Sequence, residues 1–303
     1  MTVTYEDVTS AAERIGGHVL RTPVLEISPG LFFKLEQLQH SGSFKVRGAF
    51  NRILSAGELP PSGVIAASGG NHGLAVAYAA RALGVRAEIF VPEVTSPVKV
   101  AGLRRLGAET NQVGAIYSEA AEAAAKRAAE TGALTVHAYD QPEVVAGQGT
   151  TGLELMAQTG GVDTVVVAVG GGGFAAGITI GVGSGPRIVA VEPVLCPTLH
   201  EALRAGHPVP VQVSGVGADA LGASQIGGVA YDVLSRADVQ SVLVSDDAIV
   251  AARHTLWEEH RVATEHAGAA AYAALLSGAY VPADGERVAV VVCGSNTDPA
   301  TLA

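Results

Sequence analysis

The sequence predicts an α/β protein built on mostly parallel sheets. Three observations carry that expectation. Short Val-rich segments alternate with helical ones, the pattern of strands covered on both faces by crossover helices. Glycine turns follow several of these segments, at Gly69-Gly70, at Gly170 to Gly173 and at Gly294. No fixed-period repeat, charge block or low-complexity linker interrupts the alternation.

The elements are expected in the following order. Val64 to Ser68 reads as a buried strand, then a glycine turn, then a helical stretch from about Leu74 to Leu83 closed by Gly84. Val85 to Val91 is the next strand. Pro97, tolerated in a first turn, opens a helix that Gly107 closes. Ser118 reads as the N-cap of a helix over Glu119 to Glu130, with Gly132 as its stop. Leu134 to Ala138 is strand-like, and a helix lies near Thr151 to Gln158. Thr164 to Val169 and Arg187 to Val191 are strands. Ser245 caps a helix whose first turn carries Asp246 and Asp247, where the dipole favours acids. Val288 to Val292 is a final buried strand. Two three-layer α/β/α domains are expected: residues 1–50 with 141–303 as the larger, and 51–140 as a smaller one inserted in it.

The 303 residues suffice for two domains with sizeable cores, and 48% hydrophobic against 16% charged residues marks a packed globular chain. A net charge of −10 argues against nucleic-acid or anionic-membrane partners. It leaves room for an anionic cofactor, because backbone amides bind phosphate on an acidic protein. Cys196 and Cys293 form no C-x-x-C pair, so neither a disulfide framework nor a thiolate metal site is indicated. The acidic N-terminal segment is not a signal peptide. The uncharged stretch from Thr164 to Pro186 has the length of a membrane span, but its eight glycines suit a strand, a turn and a helix start better. A soluble, cytoplasmic protein is expected.

Four clusters can carry chemistry. In Ser41-Gly42-Ser43-Phe44-Lys45-Val46-Arg47-Gly48-Ala49, the lysine can bind phosphate or condense with an aldehyde; taken alone, a solvated loop lysine is the ordinary reading. Gly170 to Gly173 follow a strand and precede a helix, which suits a phosphate cradle. A plain turn needs one glycine, and four cost conformational entropy. Ser68-Gly69-Gly70-Asn71-His72-Gly73 also joins a strand to a helix; Asn71 can donate to a cofactor oxygen or simply occupy a turn. Cys293-Gly294-Ser295-Asn296 follows the last strand, where a buried cysteine is ordinarily a small hydrophobe.

In this order, the four clusters resemble the fold-type II pyridoxal 5′-phosphate enzymes, the tryptophan synthase β-like fold, and most closely the threonine and serine dehydratases with the related serine racemases. The likeness runs from about Thr22-Pro23-Val24 to Asn296 and includes Phe33-Lys34-Leu35-Glu36 and Gly147-Gln148-Gly149-Thr150. It implies that Lys45 is the Schiff-base lysine and α-proton base, and that Phe44 packs on the pyridine ring. Asn71 then contacts the ring hydroxyl, Gly170, Gly171, Gly172 and Gly173 hold the phosphate, and Glu265 lies near the cofactor. Ser68 with the amides of Gly69, Gly70, Asn71 and His72 would grip the substrate carboxylate. Cys293 would be the neutral partner of the ring nitrogen, which favours prompt loss of a β-hydroxyl over a long-lived carbanion. The activity implied is β-elimination of L-threonine, L-serine or a close relative such as 3-hydroxyaspartate, giving a 2-oxo acid and ammonia.

Departures narrow this reading. Serine racemases carry a second serine where this chain has Gly69, so racemisation with side elimination is the alternative and elimination the expectation. Sulfhydrylases and threonine synthases carry an aspartate where Val46 stands. Relatives with a divalent cation use a glutamate, a backbone carbonyl and an aspartate at the positions of Glu192, Cys196 and Thr198. Thr198 supplies no charge, so a weak divalent site or a monovalent ion is all that is expected. No regulatory domain for isoleucine feedback is expected beyond Asn296, and the resemblance implies a homodimer.

Overall fold

The computed structural model describes residues 2–302. Elements follow in chain order as α1 (Tyr5–Ile15), β1 (Val24–Ser28), β2 (Leu31–Leu35), α2 (Lys45–Leu54), β3 (Val64–Ala67), α3 (Asn71–Ala82), β4 (Ala87–Val91) and α4 (Pro97–Arg105). Next come β5 (Glu109–Gln112), α5 (Tyr117–Thr131), β6 (Leu134–Thr135), α6 (Pro142–Thr159), β7 (Thr164–Ala168), α7 (Gly173–Val182), β8 (Arg187–Pro193) and α8 (Thr198–Ala205). The chain continues with α9 (Ala218–Leu221), α10 (Gly228–Leu234), β9 (Val239–Val244), α11 (Asp246–His260), α12 (His266–Leu276) and β10 (Val288–Val292). Two sheets result, a six-stranded one ordered β1-β2-β10-β7-β8-β9 and a four-stranded one ordered β5-β4-β3-β6. All pairs are parallel except β1 with β2. The fold is therefore the predicted α/β architecture with mostly parallel sheets.

Period-2 alternation explains why the central strands are apolar throughout. In β7, Val165 and Val167 face a core shared with Val8 of α1 and Ala175 and Ile178 of α7. Val166 and Ala168 face the opposite core, with Ala269 to Ala274 of α12 and Ile249 of α11. β10 divides in the same way, with Ala289 and Val291 on one side and Val288, Val290 and Val292 on the other. In the smaller sheet, Val64, Ala66, Ile89 and Val91 pack against α2 and α3, while Ile65 and Phe90 meet α5. The carboxyl ends of β3 and β10 lead directly into Ser68 and Cys293, and that of β7 reaches Gly170 after Val169. Ligands on open α/β sheets bind at such ends.

Several expectations are corrected. The helix expected near Thr151 begins at Pro142, because Gly147 and Gly149 are contact residues rather than breakers. A Cβ at Gly147 would lie 2.6 Å from the Arg47 carbonyl, and one at Gly149 would lie 2.7 Å from that of Gly177. Ser118 lies inside α5, whose N-cap is Ile116. The strand from Leu134 stops at Thr135. The strands of the smaller sheet lie between Val64 and Thr135. No helix among the described residues is long and apolar enough to cross a membrane.

Candidate active site

Lys45 opens α2 behind Phe44, whose amide donates to the Cys293 carbonyl at 3.2 Å. This bond and the Ser43–Gly294 bridge tie the lysine loop to the end of β10. The Lys45 ammonium nitrogen donates to the Ala138 carbonyl at 2.7 Å. Burial lowers its pKa to about 8, against a smaller upward pull from Cys293 and Glu265. A solvated lysine would stay almost wholly charged at neutral pH; this one is neutral in about a tenth of molecules.

One cavity gathers Lys45, Phe44, Asn71, Gly170 to Gly173, Glu265 and Cys293. Apart from Phe44, the neighbour of Lys45, these residues come from segments far apart in the chain. The Phe44 ring stacks on Phe174, with centroids 3.7 Å apart and planes 13° from parallel. Cys293 donates weakly from Sγ to the Ala267 carbonyl at 3.6 Å, and burial pushes its thiol pKa up, so no thiolate faces the lysine. Glu265 is the residue before α12, and its carboxyl is pushed up to about 7, by burial first and by Asp219 further, against the Asn71 hydrogen bond.

Asn71 is held on both sides. Its Nδ2 donates to Glu265 at 2.6 Å, and its Oδ1 accepts from Asn296 Nδ2 at 2.7 Å. Asn296 also donates to the Ser41 carbonyl at 2.8 Å, so the amide of Asn71 has its polarity set from the lysine loop.

The remaining predicted residues lie beside the cavity rather than in its walls. Ser68 Oγ accepts from the Gly70 amide at 3.2 Å. The first-turn amides of α3 that follow have no intrahelical acceptor, as at any helix start. Gly69 faces Thr95, whose Cγ2 would lie 3.0 Å from a Cβ placed there. The His72 imidazole turns into the core and meets the Val136 carbonyl at 2.8 Å; burial and the nearby Lys45 lower its pKa to about 3, so it is neutral. Only its backbone remains for a ligand. Glu192 and Cys196 are buried at the end of β8 and in the loop after it. Leu199 and His200 amides donate to the Glu192 carboxylate at 2.7 and 2.8 Å, and Cys196 Sγ donates to the Ser214 carbonyl at 3.3 Å. Burial pushes the Glu192 pKa up to about 7. Among the described residues no cluster of three His, Cys, Asp or Glu is arranged to hold a metal.

Two features were missed from the sequence. Tyr139 lines the cavity, and a Cβ on Gly171 would overlap its ring. Gly172, with φ of +82°, turns the loop into α7. Gly171→Ala is therefore expected to displace Tyr139 or the loop and to weaken binding of a phosphate-bearing ligand at least tenfold, an overpacking cost of about 1–3 kcal/mol. Titration with pyridoxal phosphate checks this, and wild-type affinity in that variant would contradict it.

The second is a buried ion quartet under α2. Arg47 forks onto Glu36, Nε and Nη2 each at 2.8 Å, and reaches Glu154 at 2.8 and 2.9 Å. Lys34 adds a 2.7 Å bond to Glu154, and Thr22 donates to Glu36 at 2.5 Å. Arg47, Lys34 and Glu36 are fully buried. Arg47, two residues after Lys45, ties α2 to Glu36 just after β2 and to Glu154 of α6. The motif residues Lys34, Glu36 and Arg47 were visible in the sequence, but their pairing with Glu154, 107 residues from Arg47, was not.

The chain is similar to known proteins in sequence and fold. A family model described as pyridoxal-phosphate dependent enzyme matches residues 15–294. An L-threonine ammonia-lyase of Thermotoga maritima is 36% identical over 98% of this chain and 76% of its own length. A phenylserine dehydratase of Ralstonia pickettii is also 36% identical, over 100% of this chain and 97% of its own. The structure of maize serine racemase superposes with a TM-score of 0.93 at 30% identity, covering 100% of this chain and 96% of the other. A buried amine between a glycine loop and a neutral thiol, on this fold and with these relatives, leads to one conclusion: the chain belongs to the fold-type II pyridoxal-phosphate dependent enzymes.

Proposed function

We propose that the protein removes water from a small L-β-hydroxy amino acid, threonine or serine type, and releases a 2-oxo acid and ammonia. The observation that carries this is the Lys45 amine, buried, with its pKa lowered to about 8, facing a glycine loop and an un-ionised Cys293.

Pyridoxal phosphate fits the residues present. The loop at Gly170 to Gly173 leaves the start of α7 bare of side chains for an anion. The aromatic pair Phe44–Phe174 offers a flat apolar wall, and Asn71 and Glu265 offer polar groups opposite the amine. When bound, the cofactor supplies an aldehyde for the substrate amine and a ring that draws electrons from the α-carbon. Lys45 would hold it, and the same amine, when neutral, would take the α-proton. Cys293 stays protonated and adds no negative charge beside the ring nitrogen. Asn71, with its amide fixed by Asn296, donates toward the ring hydroxyl. Ser68 and the amides from Gly69 to His72 receive the substrate carboxylate. The net change loses the α-hydrogen and β-hydroxyl as water, and hydrolysis of the resulting enamine returns one water and frees ammonia.

Gly69 has no hydroxyl to return a proton on the opposite face, and Thr95 occupies the space beside it. Elimination is therefore expected to outpace inversion. The smaller domain at 51–140 and a homodimer belong to this same reading. The test supplies L-threonine, L-serine, D-serine and the 3-hydroxyaspartates to the purified, cofactor-loaded protein, scoring oxo acid, ammonia and inverted amino acid. Oxo acid and ammonia in equal amounts, with little inversion, is the expected outcome and names the substrate. Inversion exceeding elimination would make the enzyme a racemase.

A further inference from the structure

The first peptide of the glycine loop is held by residues that none of the roles above uses. Thr198, at the start of α8 and fully buried, donates from Oγ1 to the Gly170 carbonyl at 2.5 Å. The same oxygen lies 3.0 Å from Oε1 of Glu192, itself fully buried at the end of β8. Glu192 is clamped in turn, with the Leu199 amide 2.7 Å from Oε1 and the His200 amide 2.8 Å from Oε2. A line of close polar contacts therefore runs from the first amides of α8 through Glu192 and Thr198 to the loop. A hydroxyl carries one proton and two lone pairs, and the shorter contact places that proton on Gly170.

A divalent cation does not fit this donor set. It would have to displace the Leu199 and His200 amides that donate to Glu192 and the Thr198 hydroxyl oxygen packed against it, and the third position offers only a neutral hydroxyl where a hard ion takes anionic oxygens. We propose that Thr198 and Glu192 form a metal-free clip that sets the Gly170 peptide and, through it, the loop's grip on the phosphate end of the cofactor. Thr198 is a positioning residue: it touches the loop, which touches the phosphate. The proposal rests on the reading that this loop holds phosphate.

The test titrates the full chain, resolved of cofactor, with pyridoxal phosphate and with pyridoxal, which lacks the phosphate. Thr198→Val removes the hydroxyl at nearly constant volume and leaves the Gly170 carbonyl buried without its donor. It is expected to weaken pyridoxal phosphate binding about tenfold, the size of one lost hydrogen bond to a buried acceptor, and to leave pyridoxal binding unchanged. Thr198→Ser keeps the hydroxyl and is expected to bind as wild type does. The Tm of each stripped variant is recorded beside its affinity, and Thr198→Ala replaces the valine variant if that one does not fold. Equal weakening of both ligands, or no weakening, overturns the clip. Dialysis of the wild type against a chelator is expected to leave its affinity unchanged; a loss restored by Mg²⁺ also overturns it. A wild type that binds both ligands equally overturns the phosphate reading of the loop, and the clip with it.

Discussion

Lys45→Ala is expected to lower kcat by about 10³-fold or more, since one group both holds the cofactor and moves the α-proton. Lys45→Arg should lose as much, because a guanidinium remains charged and cannot act as a base. Reduction of the loaded wild type with borohydride should fix the cofactor on the peptide that contains Lys45 and on no other. Turnover within tenfold of wild type in either variant, or a label on another peptide, would remove Lys45 from the mechanism. The lowered pKa adds a pH signature. Cofactor uptake by stripped protein needs the neutral amine, whose fraction rises about tenfold per pH unit below the pKa. Uptake should therefore climb with pH and level off near 8, where an ordinary lysine would go on climbing above 10. A profile that continues to rise beyond pH 9 would contradict the buried environment.

Arg47→Met is expected to be the most destabilising single change. It leaves Glu36 fully buried with only the Lys34 ammonium at 3.9 Å and the Thr22 hydroxyl for company. Breaking a buried pair on one side costs about 3–5 kcal/mol, against a total stability of about 5–15 kcal/mol for an ordinary domain. A fall in Tm of many degrees or loss of soluble protein is expected, and a change smaller than about 1 kcal/mol would mean that the quartet is not electrostatically closed. Adding Glu36→Gln to Arg47→Met should recover part of the loss, since it removes the stranded charge. The same quartet sets an acid limit. Burial raises the pKa of Glu36, but Arg47 outweighs it by charge and hydrogen bonds, so the folded-state pKa lies below the usual 4.5. Its contribution is therefore complete above about pH 4.5 and is lost as pH falls through the folded value. Acid unfolding should move to higher pH when Arg47 is replaced.

Much of this was legible from local pattern. Alternating apolar segments and glycine turns specify a parallel sheet because strands buried on both faces must be apolar throughout, and β7 and β10 are. Lys45, Asn71, the loop from Gly170 and Cys293 could be picked out because each follows or opens an element, where backbone and side chain are free for a ligand. The extent of α6 could not be read, since a glycine signals a turn unless another backbone lies against it. His72 could not be oriented, because a helix start allows its ring to face either the cavity or the core.

What the sequence by itself determined is the sheet class, the order of the elements and the groups available for chemistry, because these follow from short-range periodicity and residue type. The tertiary structure alone decided which charges neutralise one another and what each glycine faces. Arg47 meets Glu154 across 107 residues, Gly171 meets Tyr139, and Thr198 meets Gly170. Such pairings depend on which helices the sheet brings side by side, and the pKa of Lys45 depends on the burial they create.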